Sequence, residues 1–148
     1  MVKKAAGLAT VLALALPAGA GAKVKAPNGD YSGPRELVMQ VSDKKIDIIA
    51  FNFPCRKHPK LHGRTSLNEI PLRKTSKGYK FSIKLFGIVS YSDGKADENG
   101  FTSIWGQFGR KGKSVHGRFQ TSTRRCGPTG KLKWKAERES DSGGSPAR

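Results

Sequence analysis

Four residues have types and spacing that can do chemistry together: Cys55, His58, His62 and Cys126. The first three follow a C-x2-H-x3-H pattern, and with Cys126 as a fourth ligand they match what a tetrahedral zinc ion takes. The same cysteines, the only two in the chain, can instead close on each other. Pro59 interrupts the ligand pattern, and an exported chain with two cysteines ordinarily forms one disulfide. The two readings exclude each other, and the Cys55–Cys126 disulfide is the expected one. Closing a loop of about 70 residues contributes roughly 4 kcal/mol in the chain-entropy account.

Other motifs fail their context. Gly112-Lys113-Ser114 matches the end of a phosphate-binding loop, but Gln107 stands where its first glycine belongs and a strand pattern follows. Asp93, Asp97 and Glu98 share one turn region without the ligand spacing or distal glutamate of an EF-hand. His116 alternates outward between Val115 and Gly117 and reads as a solvated strand histidine. The expectation is a non-enzymatic domain with no catalytic residue, metal or cofactor.

Charge is the strongest functional signal. The chain has 28 basic and 11 acidic side chains, a net +17. Nine Lys or Arg residues and no acid lie between Phe101 and Ala136. Lys131, Lys133 and Lys135 alternate with Leu132 and Trp134, a comb of cations about 7 Å apart on one strand face. Bridged cysteines have Cα atoms about 5.5 Å apart, which sets Arg56 and Lys57 beside Arg124 and Arg125, with His58 nearby. The candidate anion-binding set is therefore Arg56, Lys57, Arg124, Arg125, Lys131, Lys133 and Lys135. Its expected partner is an anionic cell-envelope or extracellular polymer. Nucleic acid is disfavoured: stacking needs exposed aromatics, and all but Tyr91 and Phe86 fall mostly on the inward face. The competing explanation is that lysine-rich faces only keep strand edges soluble.

The elements that must position these residues are strands. Lys3 and Lys4, an apolar run from Leu8 to Leu16, and Ala20-Gly21-Ala22 form a secretory leader over residues 1–22, too short for a membrane span. Without it, 126 residues remain with 26 basic and 11 acidic side chains, a net +15, and the destination is extracellular or envelope-associated. Residues 23–29 read as a flexible lead-in, 30–136 as one β-domain, and 137–148 as a disordered polar tail. Within the domain the apolar period is two. Leu37, Met39 and Val41 share a face, as do Tyr79, Phe81, Ile83 and Leu85. So do Ile104, Gly106 and Phe108; Val115, Gly117 and Phe119; and Leu132, Trp134 and Ala136. Ile46 and Ile48 are out of phase with Ile49, Phe51 and Phe53, which predicts a β-bulge near Ile48. Turn residues between the runs predict an all-β, antiparallel sandwich or barrel of about seven to nine strands. A barrel brings an alternative function, carriage of a small apolar ligand among Phe51, Tyr79, Phe81 and Trp134.

With these residues in view, the chain resembles a group of small secreted bacterial β-domain proteins. The shared pattern starts with Tyr-x-Gly (Tyr31, Gly33) and an aromatic strand into the first cysteine (Phe51 to Cys55). It continues with two Gly-x-aromatic strands (Gly106-Phe108, Gly117-Phe119). It ends in Cys-x3-Gly-x3-Trp-x-Ala (Cys126, Gly130, Trp134, Ala136). The resemblance implies an extracellular β-domain with one disulfide and brings no activity, cofactor or catalytic residues.

Overall fold

A computed structural model describes residues 23–140; the leader and most of the polar tail lie outside the described residues. Ten strands follow one another: β1 (Gly29–Gly33), β2 (Leu37–Ser42), β3 (Lys45–Pro54), β4 (His62–Pro71), β5 (Arg73–Thr75), β6 (Gly78–Tyr91), β7 (Ala96–Phe108), β8 (Ser114–Thr123), β9 (Gly127–Pro128) and β10 (Leu132–Arg138). Eight of them form an antiparallel meander in the order β1-β2-β3-β4-β6-β7-β8-β10, and β10 also pairs with β1. That last pairing closes the sheet, so the fold is an up-and-down β-barrel and not a sandwich. β5 pairs with the start of β6, and β9 with the end of β8. Among the described residues there is no helix long and apolar enough to cross a membrane.

The period of two places the core. Leu37, Met39, Val41, Phe51, Phe53, Phe81, Ile104, Phe108, Val115, Phe119, Trp134 and Ala136 are all buried. An eight-stranded barrel has an interior that side chains can just fill. Here Phe51 meets Phe119 at 4.2 Å between ring centroids, and Phe81 meets Phe108 at 6.1 Å and Trp134 at 6.2 Å. The expected bulge is present: Gln40 pairs with Ile48 but Val41 with Ile46, which leaves Asp47 extra. The extra residue resets the phase, so that Ile46 and Ile49 are both fully buried.

Two glycines make room for the interior aromatics. Gly106 and Gly117 pair across β7 and β8. A Cβ on Gly117 would lie 2.0 Å from the Trp105 carbonyl oxygen and 2.6 Å from the Trp134 ring, and one on Gly106 would lie 2.4 Å from Phe81.

The barrel has two ends of different construction. At one, the β3–β4, β6–β7 and β8–β10 connections meet around the cysteines. At the other, the segment before β1 packs against the β7–β8 turn: Val24 lies on the core, Pro27 is buried, and the Lys25 amide donates to the Arg110 carbonyl at 2.9 Å. There the buried Tyr31 hydroxyl donates to the Gly112 carbonyl, and burial pushes its pKa up to about 12. The wall has one discontinuity. β4 and β6 pair only through Gly63–Thr65 and Val89–Tyr91, and beside the unpaired stretch Ile83 and Leu85 are only half-buried.

Candidate functional site

Cys55 and Cys126 are bridged, with Cα atoms 4.4 Å apart. The zinc alternative built on Cys55, His58, His62 and Cys126 is overturned, because both sulfurs are spent in the bond. The bridge draws the β3–β4 loop against the β8–β10 connection. Lys57 Nζ donates to the Arg124 carbonyl at 3.2 Å, and its alkyl chain lies over Gly127. The Arg56 guanidinium lies beside Gly130. The bridge thus sets Lys57 against the Arg124 backbone and Arg56 against Gly130.

Arg125 points elsewhere. Its guanidinium makes a two-pronged ion pair with Asp93, Nη1 to Oδ1 at 2.8 Å with Nη2 on Oδ2, and sits 5.1 Å from the Tyr91 ring centroid. The arginine holds the Asp93 carboxyl below the usual carboxylate range, and the carboxylate pushes the Arg125 pKa up. Tyr91, expected to face solvent, is buried. Its hydroxyl lies 2.6 Å from Asp97 Oδ2 and 2.7 Å from Thr123 Oγ1. Burial first, and then the Asp97 carboxylate, push its pKa up to about 12.

The larger basic surface is the outer wall of β6, β7, β8 and β10, and pairing register builds it. Trp105 stands opposite Ser82 on one side and Arg118 on the other. Arg118 in turn stands opposite Lys133. The next row runs Lys80, Gln107, His116 and Lys135. On the other side Lys84, Ser103 and Gln120 are in register, with Lys131 continuing the β10 column. These twelve outward positions carry six Lys or Arg side chains, one histidine, one tryptophan and no acid. With strands 4.7–4.9 Å apart and same-face residues about 7 Å apart, the patch measures roughly 14 Å each way.

Not every cation in it is equally available. Lys135 pairs with Glu137 at 2.9 Å. Among the described residues, Arg56, Lys57, Arg118, Arg124, Lys131 and Lys133 have no carboxylate within 4 Å. Trp105 is 39% exposed and divides two grooves. One, of about 590 Å³, is lined by His116, Arg118, Lys133 and the edge of Trp134; the other, of about 330 Å³, by Pro71, Arg73, Lys80 and Ser82.

Sequence reasoning placed Lys131, Lys133 and Lys135 on one outer face, as they are. It missed Trp105, Arg118, Lys80 and Lys84 as members of the same surface. Trp105 was within reach, since its neighbours Ile104 and Gly106 both point inward. Its position beside Arg118 and Lys133 depends on the register of three strands. Comparison with protein-family models, curated proteins and solved structures gives no match.

Proposed function

We propose that this protein is a non-enzymatic binding domain of the extracellular or cell-envelope space, which holds anionic polymers against its β6–β7–β8–β10 wall. Arg56, Lys57 and Arg124 extend the contact toward the disulfide loops. One observation carries the reading: six Lys or Arg side chains on twelve adjoining outward positions without an acid among them. Two unit charges 7 Å apart repel by about 0.6 kcal/mol even in bulk water. An acid interspersed among them would relieve that repulsion, and a polymer of repeating negative charge reverses its sign. The disulfide supports an oxidising setting.

The test is binding of the purified protein to a poly-uronate, a sulfated polysaccharide, polyphosphate and single-stranded DNA over a range of salt. Expected is affinity at low salt that falls linearly in log–log form and is abolished by Arg118→Glu with Lys133→Glu in a folded protein. Absence of binding at low salt would refute the proposal.

A second reading, carriage of a small apolar ligand, draws support from the closed barrel and from the unpaired stretch between β4 and β6, where Ile83 and Leu85 are only half-buried. Solvent extraction of the purified protein should then release an apolar compound; an empty extract counts against it.

A further inference from the structure

Polyphosphate and acidic polysaccharides present similar charges, but the wall carries more than charge. Trp105 is the exposed aromatic at its centre, and its indole is braced edge-on by His116 at 5.9 Å between centroids and 69° between planes. A braced ring loses little freedom when a ligand covers it. Around it stand neutral hydrogen-bonding side chains: Ser82 directly opposite on β6, Ser103 two residues away on β7, and Gln120 on β8. Cations flank it on both sides: Arg118 at about 5 Å and Lys133 at about 10 Å across the sheet, and Lys80 and Lys84 either side of Ser82 on β6. Grooves run on both sides of the indole ridge.

That arrangement fits a flat ring with an apolar C–H face, hydroxyls at its rim and a negative charge one ring along. We infer that Trp105 is a stacking platform for one pyranose ring of an acidic polysaccharide, whose carboxylate or sulfate groups rest on Arg118, Lys133 and Lys80. This inference rests on the polyanion-binding reading above and names its substrate class. Polyphosphate has neither a C–H face nor hydroxyls for Ser82, Ser103 and Gln120 to bond. Nucleic acid, which prefers successive aromatics for successive bases, finds a poor fit. The other exposed aromatic of this wall, Phe86, lies about 13 Å along β6 from Ser82, and its ring packs on Phe101 at 5.4 Å between centroids.

The test compares wild type, Trp105→Ala and Trp105→Phe on poly-uronate, polyphosphate and single-stranded DNA at one salt concentration, with thermal denaturation confirming that each variant folds. Trp105→Ala should weaken poly-uronate binding about tenfold and leave polyphosphate binding unchanged, while Trp105→Phe recovers most of the loss. Poly-uronate should also alter tryptophan emission far more in wild type than in Trp105→Ala, whose remaining Trp134 shows only an edge to the groove. Equal losses on both polymers, or no loss on either, would overturn the platform while leaving the charge-based reading standing. A wild type that binds no polyanion would instead remove the charge-based reading itself. DNA bound more tightly than poly-uronate, with the same dependence on Trp105, would overturn the sugar assignment in favour of nucleic acid.

Discussion

At the disulfide end, Arg125 is held by the Asp93 carboxylate and by the face of Tyr91. On the outer wall, Arg118 and Lys133 stand opposite each other across β8 and β10 with no carboxylate of the described residues within 4 Å. A charge count treats these side chains alike, yet one is tied into the structure by an acid and the others have no such partner among the described residues. Even immediate neighbours divide this way: Arg124 is exposed and has no ion-pair partner among the described residues, while Arg125 is held by Asp93. Ion pairing in space, not density along the chain, separates cations that fasten loops from cations that can meet a ligand.

The strongest way to press the comparison is to unfasten the loop end. Cys55→Ser with Cys126→Ser should cost roughly 4 kcal/mol and lower Tm by roughly 15 °C, read by thermal denaturation with wild type alongside. Polyanion binding by the folded fraction should survive through the wall, which strand register builds, and lose only what Arg56, Lys57 and Arg124 add. A stability loss below about 1 kcal/mol would mean that other contacts hold the loops.

Next in size is the alkaline limit. Tyr31 and Tyr91 have pKa values raised to about 12, against about 10 in an unfolded chain. A raised pKa means that the native state favours the protonated phenol. The stability it contributes is therefore fully present below pH 10 and lost as pH rises from there through about 12. Denaturant titrations across that window should show a decline that Tyr31→Phe with Tyr91→Phe flattens; an equally steep decline in the double variant would place the alkaline limit elsewhere.

The smallest effect is the most discriminating for the comparison. Arg125→Ala should lower Tm measurably, whereas Arg118→Ala and Lys133→Ala should leave it unchanged. The depressed Asp93 pKa adds a pH signature. The stability from the ion pair is present above the usual carboxylate range and lost as pH falls through it, so the gap between wild type and Arg125→Ala should close on acidification.

Much of the fold was legible because burial follows parity: Leu37, Met39 and Val41, or Val115 and Phe119, needed no tertiary information. The bulge at Asp47 was also readable, as a phase error between Ile46 and Ile49. β4 escaped notice because its first inward positions are Gly63 and Thr65. Glycine is required at 63 because a Cβ there would lie 2.2 Å from the Phe53 ring, a constraint that leaves no apolar signal. Closure by β1 and β10 rests on two residue pairs, Tyr31 with Arg138 and Ser32 with Glu137, which no local pattern announces. The site was legible in its columns and not in its rows. The lysine comb on β10 follows from period two, but its place beside Trp105 follows from register. Likewise the acid that occupies Arg125 comes from a turn 32 positions earlier, outside the acid-free run between Phe101 and Ala136.

The most direct test of the central claim is the salt dependence of poly-uronate binding in three proteins: wild type, Arg118→Ala with Lys133→Ala, and Arg125→Ala. Each charge that contacts the polymer contributes about 0.7–0.9 to the log–log slope. The wall variant should therefore lose about 1.4–1.8 from the slope, two such contributions, while Arg125→Ala keeps the wild-type value. An unchanged slope in the wall variant, or an equal loss on removing Arg125, would contradict the division between the two regions.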